Sequence, residues 1–194
     1  MSKIRRINLF SGAGGGKSIT ATNIRAQLGF KGYDIELVDE VIKDWTYIPR
    51  IPKDCDSFYL QASQIQKEDI RLRAGVDLIV SDSPLFLQYF YAWHYKTPLQ
   101  MAMLSASIEF DVRYTPLNIF INREDEFYNE TGRYETLEEA KHIDIEIKRL
   151  MSRNAVEYKE FSCLNQDGII YYIISKIKEA DERTNGKWVT SEKT

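Results

Sequence analysis

Four of the five residues before Lys17 are glycine, and the whole stretch reads SGAGGGKS from Ser11 to Ser18. The spacing is that of a phosphate-binding loop, G-x-x-x-x-G-K-[ST], except that Ser11 stands where the first glycine belongs. Glycine lets backbone N–H groups turn inward on an anion. A helix starting at Lys17 adds the positive end of its dipole. On this reading Gly12, Ala13, Gly14, Gly15 and Gly16 cradle the phosphates of a nucleotide. Lys17 reaches the β- and γ-phosphates, and Ser18 offers a hydroxyl to Mg²⁺. The competing reading is a Gly-rich turn with a surface lysine. Ser11 is harmless if its backbone is extended and costly if it needs positive φ.

Carboxylates stand at two later points where this chemistry needs them. Asp82 ends the apolar run VDLIVSD, the position of an acid that holds Mg²⁺ directly or through water. Alternatively, Asp82 or Ser83 caps a helix whose first residue is Pro84. Asp39 and Glu40 end the run DIELVDE, and a carboxylate there can take a proton from an attacking hydroxyl or orient it. Two solvated loop acids are the plainer explanation.

These residues need elements to position them. Strands are expected over Ile4–Phe10, Asp34–Asp39, Val76–Asp82, Leu117–Asn122 and, more weakly, Tyr158–Leu164. Helices are expected over Lys17–Phe30, Phe58–Ala74, Leu85–Tyr95, Leu99–Arg113, Thr136–Arg153 and Gln166–Ala180. Thr136 and Glu139 form a capping-box signature. The alternation implies an α/β fold, a mainly parallel five-stranded sheet between helices. Ligands then bind beyond the carboxyl ends of the strands, where SGAGGGKS, Asp39-Glu40, Ser81-Asp82-Ser83 and Asn122-Arg123 all fall.

With 194 residues, 43% hydrophobic and 28% charged, the chain suits one globular domain, expected over residues 1–182 with a polar tail at 183–194. A net charge of −3 gives no global pull toward nucleic acid or an anionic membrane. Cys55 and Cys163 lack C-x-x-C spacing, so a zinc site is not expected and a reduced, cytoplasmic setting is. The N-terminus does not read as a signal peptide, and no stretch reads as a membrane span.

The segment NREDEFYNETGRY lies between a strand and a capped helix and reads as a lid over phosphates, about residues 123–135. Arg123 or Arg133 would neutralise charge developing on the transferred group. The alternative is an exposed salt bridge with Glu124, Asp125 or Glu135. The acceptor side falls in Lys43–Arg73, where Trp45 or Tyr47 can stack a base, Gln64 can hydrogen-bond one, and Arg71 or Arg73 can hold a phosphate, although for each residue taken singly a structural role is the favoured reading. The aromatic run FLQYFYAWHY reads mostly as core, and His94 and His142 as structural or exposed.

ELVDEVIKDW, from Glu36 to Trp45, resembles the E-L-V-x-E-x-x-K-D signature of P-loop nucleotide kinase-like proteins common in phages, relatives of the ribosylnicotinamide kinase-like ATPases. FSGAGGGKS, VDLIVSDSPLFL and FINREDEFYNETGRYETLEEAKHID extend the resemblance over residues 7 to 150. It implies a P-loop kinase fold and ATP·Mg²⁺-dependent phosphotransfer. By the same resemblance Lys17, Glu40, Asp82, Arg123 and Arg133 are catalytic, with Glu40 the base. From the residues themselves, Ser18 and Asp82 are the expected metal-side pair, and Asp39, Lys43, Trp45, Gln64 and Arg71 are expected toward the acceptor. The expected acceptor is a nucleoside, nucleotide or related ribosyl compound. A hydroxymethylated base or strand end of DNA, and an ATPase switch with water as acceptor, are the alternatives.

Overall fold

The computed structural model describes residues 3–42, 45, 50, 52–128 and 135–189. Five strands form one sheet: β1 (Arg6–Phe10), β2 (Ile35–Val38), β3 (Leu78–Ser81), β4 (Pro116–Asn122) and β5 (Lys159–Ser162). Their order is β2-β3-β1-β4-β5 and every pairing is parallel. The helices are α1 (Lys17–Phe30), α2 (Asp56–Arg73), α3 (Leu85–His94), α4 (Gln100–Arg113), α5 (Leu137–Arg153) and α6 (Gln166–Val189). All eleven elements expected from sequence are present. The main departure is α6, which continues as helix nine residues beyond the expected Ala180.

Strand alternation sorts the side chains into two layers. Ile7 and Leu9 of β1, Val80 of β3 and Ile119 and Ile121 of β4 pack against Ala21, Ile24 and Leu28 of α1 and Ile169, Ile173 and Ile177 of α6. On the opposite face Phe10 and Phe120 meet Phe86 and Phe90 of α3 and Ile143, Ile147 and Leu150 of α5. Val38 and Ile79 meet Leu72 of α2 and Phe110 of α4. Most of FLQYFYAWHY is therefore core, as its helical spacing implies.

The second face also holds a buried ion pair. Arg6, fully buried, sends Nε to Glu68 Oε2 at 2.8 Å and Nη1 to Asp111, and its guanidinium lies over the Phe110 ring. Asn8, two residues along the same face, donates to Asn118 of β4 at 3.0 Å. These groups tie α2 and α4 to the sheet below the site.

Helix α5 starts as its sequence says. Thr136 Oγ1 accepts the Glu139 N–H, and Glu139 Oε2 accepts the Thr136 N–H at 2.8 Å. The stripe Ala140, Ile143, Ile147 and Leu150 is buried.

Two stability outcomes follow. Thr136→Ala should cost about 1 kcal/mol by removing a helix cap. Arg6→Ala should cost roughly 3–5 kcal/mol, because it leaves Glu68 charged and unpaired in the interior. Urea unfolding monitored by circular dichroism measures both.

Candidate functional site

The loop after β1 carries Ser11–Gly16 directly into α1. Gly14 and Gly16 hold φ of 70° and 88°, the left-handed region that glycine enters without strain. Gly15 is glycine for another reason: a Cβ there would lie 2.3 Å from Ser11 Oγ and 2.7 Å from Ser11 Cβ. Ser11 is fully buried and is not among the residues with positive φ. The serine at the loop's entrance therefore carries no backbone strain, and its side chain fills the space that Gly15 leaves. Lys17 Nζ reaches back to the carbonyls of Ser11 at 2.8 Å and Gly12 at 2.9 Å. The N-cap residue of α1 is Gly16, which has no side chain with which to engage the first-turn N–H groups.

Ser18 Oγ donates to Asp82 Oδ2 at 2.8 Å, joining the loop after β1 to the end of β3. Asp82 is 5% exposed, and its Oδ1 has no hydrogen-bond partner among the described residues. A buried carboxylate oxygen without a donor is costly. A hydroxyl and a carboxylate side by side are the hard oxygen ligands that Mg²⁺ takes. These two residues, expected from the sequence as a metal-side pair, fit the ion.

The loop is gripped from the opposite layer by a residue to which the sequence reading gave no role. Asp144 of α5 accepts the Gly12 N–H with Oδ1 and pairs through Oδ2 with Arg123 Nε at 2.6 Å. Arg123 in turn donates to Ala13 O at 2.9 Å and Ala140 O at 3.2 Å. A Cβ on Gly12 would meet Ala140 O, Arg123 Nη2 and Asp144 Oδ1 within 3.1 Å. Arg123 thus binds the phosphate loop's own backbone and not the neighbouring acids Glu124, Asp125 or Glu135 that offered an exposed alternative. The clue in the sequence was Asp144 four residues after Ala140, on the flank of a buried stripe.

Glu40, after β2, is half-buried and its Oε1 accepts from Ser83 Oγ at 3.3 Å. That bond brings Glu40 beside the residue that follows Asp82. Tyr91 of α3 lies within reach of the Glu40 charge. Burial pushes its phenol well above the ordinary range, and the charges of Glu135, Glu40 and Asp144 push it the same way.

The helix-capping alternative for Asp82 and Ser83 is corrected. Pro84 itself occupies the cap position of α3, with no side-chain cap, because Asp82 is engaged by Ser18 and Ser83 by Glu40.

The described members of the expected acceptor set have other partners. Gln64 is a correction: it is fully buried, and Nε2 donates to Ser81 Oγ at 3.2 Å and Glu68 Oε1 at 3.3 Å, which makes it part of the interior beneath the site. Trp45 is 9% exposed with the Arg50 guanidinium 3.5 Å over its ring, so one stacking face is covered. Arg71 donates to the Lys67 carbonyl of its own helix, and Arg73 pairs with Asp69. Asp39 is exposed, and its carbonyl accepts from Lys67. Lys43, Tyr47 and Arg133 lie outside the described residues, as does 129–134 of the expected lid. His94 and His142 converge on Glu146, at 2.7 Å and 3.7 Å.

Residues 6–163 match the family model described as an AAA domain. No curated protein matches the chain. Among solved structures, NadR protein in complex with NR aligns with a TM-score of 0.60 at 14% identity, covering 82% of this chain and 43% of that one. The present chain therefore spans less than half of that NadR chain. Deoxyadenosine kinase from M. mycoides, with products dCMP and a flexible dCDP bound, aligns with a TM-score of 0.49 at 16% identity, covering 90% of this chain and 99% of that one. The fold shared with that NadR structure is an all-parallel five-stranded sheet flanked by helices.

The packing of Ser11 on Gly15 makes a specific prediction. Gly15→Ala should weaken binding of a fluorescent ATP analogue by about 10-fold or more, since a misplaced loop loses several charge-assisted N–H contacts. Adding Ser11→Gly to that variant should restore most of the affinity by vacating the space. Equal affinities of the single and double variants would refute the packing argument.

Proposed function

The chain belongs to the AAA domain family, and on that premise we propose that it is an ATP-dependent phosphotransferase. It moves the γ-phosphate to a hydroxyl of a nucleoside, nucleotide or related ribosyl acceptor. The observation that supports this reading is the Ser83–Glu40 bond, which holds a second carboxylate on the residue next to Asp82. A hydrolase without an acceptor has less use for such an acid.

The residues divide the work as follows. The loop from Ala13 to Gly16 and the first turn of α1 hold the donor phosphates through backbone N–H groups, while the Gly12 N–H goes to Asp144 and anchors the loop. Lys17, which lies on the loop's own carbonyls, transfers its charge to the β- and γ-phosphates. Ser18 and Asp82 would hold Mg²⁺, which when bound neutralises charge on those phosphates. Glu40 accepts the proton of the acceptor hydroxyl as its oxygen attacks phosphorus. The new O–P bond forms as the bond from the γ-phosphorus to the bridging oxygen breaks, and ADP leaves carrying that oxygen.

Arg123 and Asp144 keep the loop in register. Arg133, Lys43 and Asp39 belong to the acceptor-side and lid machinery in this reading, and residues 1–182 form its single domain, with the lid at 123–135.

Transfer from γ-radiolabelled ATP to deoxyadenosine, deoxycytidine, ribosylnicotinamide, their monophosphates and hydroxymethylated DNA tests the reading. Label on a small acceptor is the expected result. Label only as free phosphate refutes the transferase, and label only on DNA refutes the small-molecule acceptor. Lys17→Ala should lower turnover roughly 10²-fold or more through loss of a charge donor to the transition state. Glu40→Gln should abolish acceptor phosphorylation and leave ATP affinity within about 2-fold, since in this reading its carboxylate acts on the acceptor and not on the donor.

A further inference from the structure

We propose that Ser83 and Gln88 are positioning residues that hold the Glu40 carboxylate toward the acceptor hydroxyl through a one-way hydrogen-bond relay, Gln88 to Ser83 to Glu40. The proposal rests on the phosphotransferase reading of Glu40 and adds two residues that the reading did not require.

The relay is visible as two bonds. Gln88 Nε2 donates to Ser83 Oγ at 2.7 Å, and Ser83 Oγ donates to Glu40 Oε1 at 3.3 Å. Its direction follows from the donor inventory. An amide nitrogen only donates, an ionised carboxylate only accepts, and a hydroxyl has a single proton to give. With Gln88 N–H aimed at the Ser83 oxygen, the hydroxyl proton goes to Glu40. The opposite amide orientation would set one proton between two acceptor oxygens and leave one of them without a donor in a buried place.

Burial makes the relay matter. Ser83 is 2% exposed and Gln88 7% exposed, so bulk water does not substitute for either group. Both belong to the segment that positions Asp82: Ser83 is the next residue, and Gln88 lies in the first turns of α3. The fold therefore references Glu40, which sits on the loop after β2, to the same rigid strand–helix junction as the metal-side acid. Ser83 serves no competing local role, because the cap position of α3 is Pro84 and no side chain caps that helix.

The relay acts on the placement of one acid, so its removal should lower turnover and leave donor binding alone. In the radiolabel assay with deoxyadenosine, deoxycytidine and ribosylnicotinamide, Ser83→Ala should lower kcat roughly 10-fold or more, the scale of one hydrogen bond to a charged group. The Kd for Mg·ATP and the thermal midpoint should stay close to wild type. Ser83→Thr, which keeps the hydroxyl, should recover most of the turnover. Gln88→Met should lower kcat by less. In the Ser83→Ala background it should add almost nothing, because Gln88 acts only through Ser83.

Wild-type kcat in Ser83→Ala alongside an inactive Glu40→Gln would overturn the relay and leave the phosphotransferase reading standing. Fully additive losses in the double variant would overturn the part assigned to Gln88. Turnover in Glu40→Gln, or no acceptor labelled by the wild type, would overturn both.

Discussion

Because all five strands pair in parallel, each must be reached by a crossover, and every strand delivers its last residues to the same edge. The loop after β1, the acids after β2 and β3 and Arg123 after β4 meet for that reason alone. The strand order puts β1 between β3 and β4, so the phosphate loop sits at the middle of the edge with the acid of β3 on one side and Arg123 on the other. The two core faces follow from the same geometry: α1 and α6 cover one, α2 to α5 the other.

The phosphate loop is held from both sides of the sheet. Ser18 is tied to Asp82, and Gly12 and Ala13 are tied to Asp144 and Arg123. A glycine-rich loop loses much conformational entropy on ordering. Bonds to buried charged partners offset that loss, and Ser11 occupies the space that a side chain at position 15 would otherwise need. The glycines thus serve two ends: left-handed backbone at Gly14 and Gly16, and closeness to neighbours at Gly12 and Gly15.

Below the site the interior is unusually polar. Arg6, Glu68, Gln64 and Ser81 form a connected chain from the start of β1 to the end of β3, with Asp82 next in sequence. An apolar face would pack with less desolvation cost. What the polar chain supplies is a fixed register of α2 against the sheet, and hence a firm base under the residues that flank Asp82.

The parallel fold, the phosphate loop and the strand-end acids were legible in the sequence because each depends on short-range pattern. Glycine spacing, an apolar run followed by a carboxylate, and a capping box are all read within a few residues. Their places in the structure agree with that reading, down to the Thr136–Glu139 cap. What only the tertiary structure decided is which side chains those elements turn toward one another. Gln64, expected to hydrogen-bond a base, is interior; Ser83, a candidate cap, donates to Glu40 across 43 residues; and Asp144 meets Gly12 across 132. Such contacts join helices and loops that are distant in the chain, and they are set by how the layers dock on the sheet. No local periodicity encodes that docking, so the partners of a buried polar group become known only when the layers are in place.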